Sequence, residues 1–201
     1  PSIAISAMAN LANHQHPEAL KQISQRLSKE SNENNQSLLI RAIKQLQDPQ
    51  VAEYLLDYFL NNSLCQYDSN NLLKIIASYR HKGTFSPLLD QLETGNKHTN
   101  AIIKALKIIT GFDQNIEDFE EETNDREWIK KAHPFHDNLL LKLFQRLIDV
   151  KHYQAVADLW QGMAWMQDKG ADLVLDDSVS VIQEDKLPLM IKAIHYRLKR
   201  R

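Results

Sequence analysis

The sequence predicts an all-α protein, an α-solenoid of about five to six antiparallel helix pairs. Three observations predict it. An apolar quartet spaced i, i+3, i+4, i+7, the stripe of one helical face, occurs five times: Ile5-Met8-Ala9-Ala12, Leu39-Ala42-Ile43-Leu46, Leu72-Ile75-Ile76-Tyr79, Ile102-Ala105-Leu106-Ile109 and Leu140-Leu143-Phe144-Leu147. Its starts at positions 5, 39, 72, 102 and 140 lie 30 to 38 residues apart, the length of a helical hairpin and not of one long helix or a βαβ unit. Strand-like alternation is confined to Leu173-Val174-Leu175 and Val179-Ser180-Val181, too short to build a sheet.

Each quartet helix is followed by a second amphipathic segment. His16-Pro17-Glu18 leads into Leu20-Ile23-Leu27, Asp48-Pro49-Gln50 into Val51-Tyr54-Leu55-Tyr58, and Phe85-Ser86-Pro87 into Leu88-Leu89-Leu92. Proline suits a first helical turn because its missing N–H has no partner there, and Asp48 or Ser86 is placed to cap the free donors. Asn61-Asn62-Ser63, His81-Lys82-Gly83 and Thr94-Gly95-Asn96 supply the breaks between helices. The pattern stops between Gly111 and Phe135, where Asp113, Glu117, Asp118, Glu120, Glu121, Glu122, Asp125 and Glu127 crowd into a stretch without apolar periodicity. Beyond it, Leu140 to Leu147 is paired with Val156-Leu159-Trp160-Met163, and Leu187-Met190-Ile191-Ile194 closes the chain after a less regular stretch. The whole chain, 1–201, therefore reads as a single helical-repeat domain with regular repeats over 2–110, an acidic insert over 111–135 and C-terminal helical pairs over 136–201.

In these residues the chain resembles the HEAT/armadillo class of helical repeats, particularly the bacterial short-HEAT type. The resemblance lies in the His-Pro and Asp-Pro starts of the second helices, in the quartets, and in the run Ala105-Leu106-Lys107-Ile108-Ile109-Thr110-Gly111-Phe112-Asp113 leading to Glu127-Trp128. It is clearest over residues 2–135. The insert is long for the class, no Asp-Pro marks the last two pairs, and the C-terminal third fits a tetratricopeptide-like or other helical cap equally well. The resemblance implies that the first helices form a convex face and the second helices a concave one.

Charge and composition narrow the function. Lys and Arg total 24 against 26 Asp and Glu, a net charge of −2, so no global positive field draws the chain to duplex nucleic acid or an anionic membrane. No apolar run reaches the roughly 20 residues of a transmembrane helix, and no secretory leader is recognisable. One cysteine, Cys65, excludes an internal disulfide and a thiolate zinc site, and a reducing, cytoplasmic setting fits best. Phosphate-cradling glycine loops, a Gly-x-Ser-x-Gly elbow and His-Glu-x-x-His are all missing. The chain starts at Pro1 without a methionine and ends on Lys199-Arg200-Arg201, as expected of part of a larger protein or assembly.

A few residues remain as candidates. His133-Pro134-Phe135-His136-Asp137 is the one tight cluster of metal-ligating side chains. Pro134 argues against a helix through both imidazoles, so we expect a capping or loop role, with no metal and no cofactor. Trp160 shares its stripe with Val156 and Met163 and is expected in the core, whereas Trp165 falls off the stripe and is the candidate apolar anchor for a partner. Glu120, Glu121 and Glu122 are the candidate electrostatic contacts on the acidic insert. Arg41, Lys104, Lys107, Lys142 and Arg146 recur on first helices, where a solvated face is the simplest reading.

The expected function is a non-catalytic protein–protein interaction or scaffold module that binds a protein or peptide partner. The alternatives come from the same fold class. A DNA glycosylase-like enzyme would nominate Trp128, Asp113 or Trp160 but is disfavoured by the charge balance, and a bilin lyase-like enzyme would need a tetrapyrrole pocket that no residue pattern identifies.

Overall fold

Helices account for the regular structure, as the 3.6-residue periodicity requires, and no strand occurs among the described residues. A computed structural model describes residues 2–48, 50–62, 66–93, 96–112 and 137–165, together with Asp176, Ser178, Ser180, Pro188 and Lys192. The helices are α1 (Ser2–Asn13), α2 (Ala19–Leu27), α3 (Glu33–Lys44), α4 (Gln50–Asn61), α5 (Gln66–Ser78), α6 (Phe85–Asp90), α7 (Thr99–Ile109), α8 (Asp137–Asp149) and α9 (Tyr153–Trp165). A 3-10 turn, Lys82–Thr84, precedes α6. Ser180 is helical, while Leu173-Val174-Leu175, Val179 and Val181 lie outside the described residues. Among the described residues, no helix is long and apolar enough to cross a membrane.

The fold divides into two compact units, residues 1–84 and 85–201. In the first, α1 lies against α3 and α3 against α5, while α2 touches α1 and α3, and α4 touches α5. Four of the five predicted quartets are buried throughout, those starting at Leu39, Leu72, Ile102 and Leu140. The first quartet is buried only at Ile5 and Ala12, and Met8 and Ala9 stay half-buried. Its helix α1 is covered by α2 and α3, whereas α3 has α1, α2 and α5 around it.

Polar contacts join the helix ends of this unit. The Gln15 Nε2 donates to the Gln45 carbonyl at 2.7 Å, and its Oε1 accepts from the Gln47 N–H at 2.9 Å. Tyr79, a member of the third stripe, donates its hydroxyl to the Leu46 carbonyl at 2.5 Å, so a buried phenol reaches a partner without leaving the core. Asp48 caps α4 as expected, accepting from the Gln50 N–H at 2.9 Å. Ser86 does not cap, because α6 already starts at Phe85 and Ser86 lies inside it. Pro87 is then the third helical residue, still within the first turn, where a missing N–H costs nothing.

The connection between α2 and α3 is closed by Glu30, whose side chain is only 7% exposed. Its carboxylate accepts from Arg26 Nη2 at 2.7 Å and from the Asn32 N–H at 3.1 Å, and Asn32 in turn caps α3 through the Asn35 N–H. The Asn32 N–H, with Asn35 and Arg26, holds the carboxyl below its ordinary value of 4.5 against the opposing effect of burial. A lowered pKa means that this contribution to stability is present above about pH 4.5 and is lost as pH falls through the folded-state value. Glu30→Gln is therefore expected to lower the denaturation midpoint at pH 7, with the gap to the parent narrowing in acid. A gap that stayed constant down to pH 3 would assign the loss to shape instead of charge.

Candidate functional site

The second unit brings its most distinctive features to one end. α8 and α9 touch and are joined by only three residues, 150–152, so they form an antiparallel hairpin. The start of α8 at Asp137 and the end of α9 at Trp165 consequently lie at the same end of that hairpin.

The end of α7 meets this same region. There the chain turns through Gly111 at φ 79, with the Gly111 N–H bonded to the Ile108 carbonyl at 3.1 Å and the Phe112 N–H to the Lys107 carbonyl at 3.0 Å. These two bonds form a Schellman cap, and glycine takes the left-handed position without a Cβ penalty. The cap directs the Phe112 ring onto α9 at Gly162, where a Cβ would fall 2.5 Å from the ring Cζ. The Lys107 ammonium lies 5.7 Å from the ring centroid. Trp165 follows Gly162 by three residues, a spacing that shares a helical face.

Residue 112, at the start of the acidic insert, and residue 137, just beyond its end, both lie at the end of the α8–α9 hairpin that carries Trp165. Glu120, Glu121 and Glu122 lie outside the described residues, as do His133, His136, Cys65, Asp113 and Trp128. Trp165 is described as the last residue of α9, and its side chain lies outside the described set.

Trp160 takes the core position expected of it. It is fully buried, its ring stacks on Phe144 at 6.3 Å and 28°, and its Nε1 donates to the Ser178 Oγ at 3.0 Å. Of the recurring cations, Arg41, Lys104 and Lys142 are exposed, while Lys107 and Arg146 are half-buried.

Titratable groups do not assemble into a reactive constellation among the described residues. His98, at the start of α7, is held below its ordinary pKa by burial and secondarily by Lys97, and burial raises the Tyr54 and Tyr58 phenols. His81 Nδ1 approaches Glu53 Oε1 at 3.5 Å, an isolated imidazole–carboxylate pair. No group of three or more His, Cys, Asp or Glu among the described residues is placed to hold a metal ion. Sequence reasoning missed Phe112 and Gly162 as a contact. Phe112 breaks the apolar period just past α7, and a lone glycine inside a helical pattern is the one signal that pointed to a close approach there.

In comparisons with known proteins, the chain matches no protein-family model, no curated protein and no solved structure.

Proposed function

We propose that this chain is a non-catalytic protein-binding module of the HEAT/armadillo-like kind, an α-solenoid whose docking surface combines the acidic insert with Trp165. The supporting observation is that Phe112, at the start of the insert, and Asp137, just beyond its end, lie at the end of the α8–α9 hairpin where Trp165 sits. A carboxylate-rich segment beside an apolar anchor suits a partner polypeptide with basic side chains around an apolar one. The carboxylates speed encounter and the tryptophan slows release. Stacked helices keep the flanks of such a surface in place, which limits the ordering cost of docking.

The test begins with a partner retained by the purified chain and identified. Neutralising Glu120, Glu121 and Glu122 to glutamine is expected to slow association by up to about tenfold at low salt and to flatten its salt dependence. Trp165→Ala is expected to speed dissociation by on the order of tenfold or more, as loss of an interface anchor does. If both variants bind like the parent while remaining folded, the docking surface lies elsewhere. Sub-micromolar binding of duplex DNA at physiological salt would favour a nucleic-acid module instead.

A further inference from the structure

We propose that His81 and Glu53 form a pH-responsive clasp, which fastens the turn after α5 to α4 when the imidazole is protonated and loosens it when the imidazole is neutral. That turn, Lys82–Thr84, packs on α4, and residue 84 ends the first compact unit. Arg80, at φ 48, turns the chain out of α5, and His81 follows it with its Nδ1 at 3.5 Å from Glu53 Oε1. Gly83 closes a third side: a Cβ there would lie 2.9 Å from His81 Cε1, 3.1 Å from its Nδ1 and 3.2 Å from Glu53 Oε1.

The Nδ1 is buried without a hydrogen-bond partner, the 3.5 Å approach of the carboxylate being too long for a sound one. A buried polar atom left in that state is unfavourable. Protonation makes both ring nitrogens donors and sets a positive charge against Glu53, so the same contact becomes a charge-assisted hydrogen bond. The Glu53 side chain is 59% exposed and free to close the remaining gap.

Other charged groups on the packed elements are few. Asp57 lies one turn along α4 and accepts from Asn61 Nδ2 at 2.8 Å, α5 carries Asp68 and Lys74, and Arg80 and Lys82 adjoin His81 in the chain. The two adjoining cations oppose protonation, whereas Glu53 is the carboxylate in contact with the ring and favours it. Tyr54 and Tyr58 on α4 stay neutral in the histidine range because burial raises both phenols.

Hydrogen exchange of the Thr84 amide in the full chain tests the clasp, because that N–H is bonded to the His81 carbonyl at 3.1 Å and is released when the turn opens. With the intrinsic pH dependence of exchange divided out, protection at about pH 5.5 is expected to exceed that at about pH 7.5 by roughly two- to fivefold, the scale of a partly exposed ion pair. The sign follows from linkage: the charged imidazole stabilises the closed turn, and the gain is lost as pH rises through the histidine range. Glu53→Gln keeps the size of the side chain and removes its charge, and is expected to abolish the response. Asp57→Asn, which removes a charge one turn away, is expected to keep it. Equal protection at both pH values in the parent would overturn the clasp. So would a response that survives in Glu53→Gln, or one that Asp57→Asn removes as completely, since its cause would then lie outside this pair.

Discussion

Replacing Trp160 with alanine is expected to cost about 3 to 5 kcal/mol, among the largest single-residue losses in this protein. The indole is fully buried, stacks on Phe144 and reaches Ser178 through its Nε1, so truncation opens a large cavity and removes a buried hydrogen bond together. A domain of this size is stable by only about 5 to 15 kcal/mol, so such a loss takes a large share of it. Trp160→Phe separates the two effects. It keeps an aromatic ring against Phe144 and removes the donor, and about 1 kcal/mol of its cost belongs to the hydrogen bond. Urea unfolding monitored by circular dichroism reads both variants, and a Trp160→Ala loss below about 1 kcal/mol would contradict the buried position.

Ile43→Ala, Ile76→Ala and Leu106→Ala are each expected to cost about 2 to 5 kcal/mol, the sum of lost transfer energy and the cavity left behind. All three side chains are fully buried in their quartets. Ile3, 86% exposed on α1, is the control: Ile3→Ala is expected to shift stability by no more than about 0.5 kcal/mol. The same unfolding measurement checks all four. Losses under about 0.5 kcal/mol at all three buried positions would mean that the stripe faces solvent.

These quartets were legible because burial on one helical face leaves a 3.6-residue mark in the sequence itself. Tyr79 shows where that mark is incomplete. The period places it in the core, but only the fold supplies the Leu46 carbonyl that its hydroxyl needs. Helix ends were read unevenly for a related reason. Asp48 before Pro49 is a local signal and was correct, whereas Asn32 caps α3 in a stretch rich in asparagine and serine that gives several equal candidates.

The C-terminal turns show the same limit more sharply. α1, α7 and α8 all end in Schellman caps, but only α7 announces it with a glycine, Gly111. Gln15 and Lys151 take the left-handed position at φ 52 and φ 60, as does Arg80 at φ 48 beyond α5. Such a backbone costs a non-glycine residue about 1 kcal/mol or more, a penalty that neighbouring contacts offset and that no composition rule foresees. For Gln15 those contacts are visible, because its side chain bridges to Gln45 and Gln47 some thirty residues away.

By itself, then, the sequence determined the helical class, the stripes that would be buried and the absence of familiar catalytic signatures. Those properties are written in local order, because each helix carries its own apolar face. Only the tertiary structure decided the contacts between helices that are not neighbours in the chain: that the Phe112 ring beyond α7 rests on Gly162 of α9, and that the Tyr79 hydroxyl reaches the Leu46 carbonyl. The physical reason is that such contacts join residues about thirty to fifty positions apart, and chain periodicity carries no information about distances across that separation.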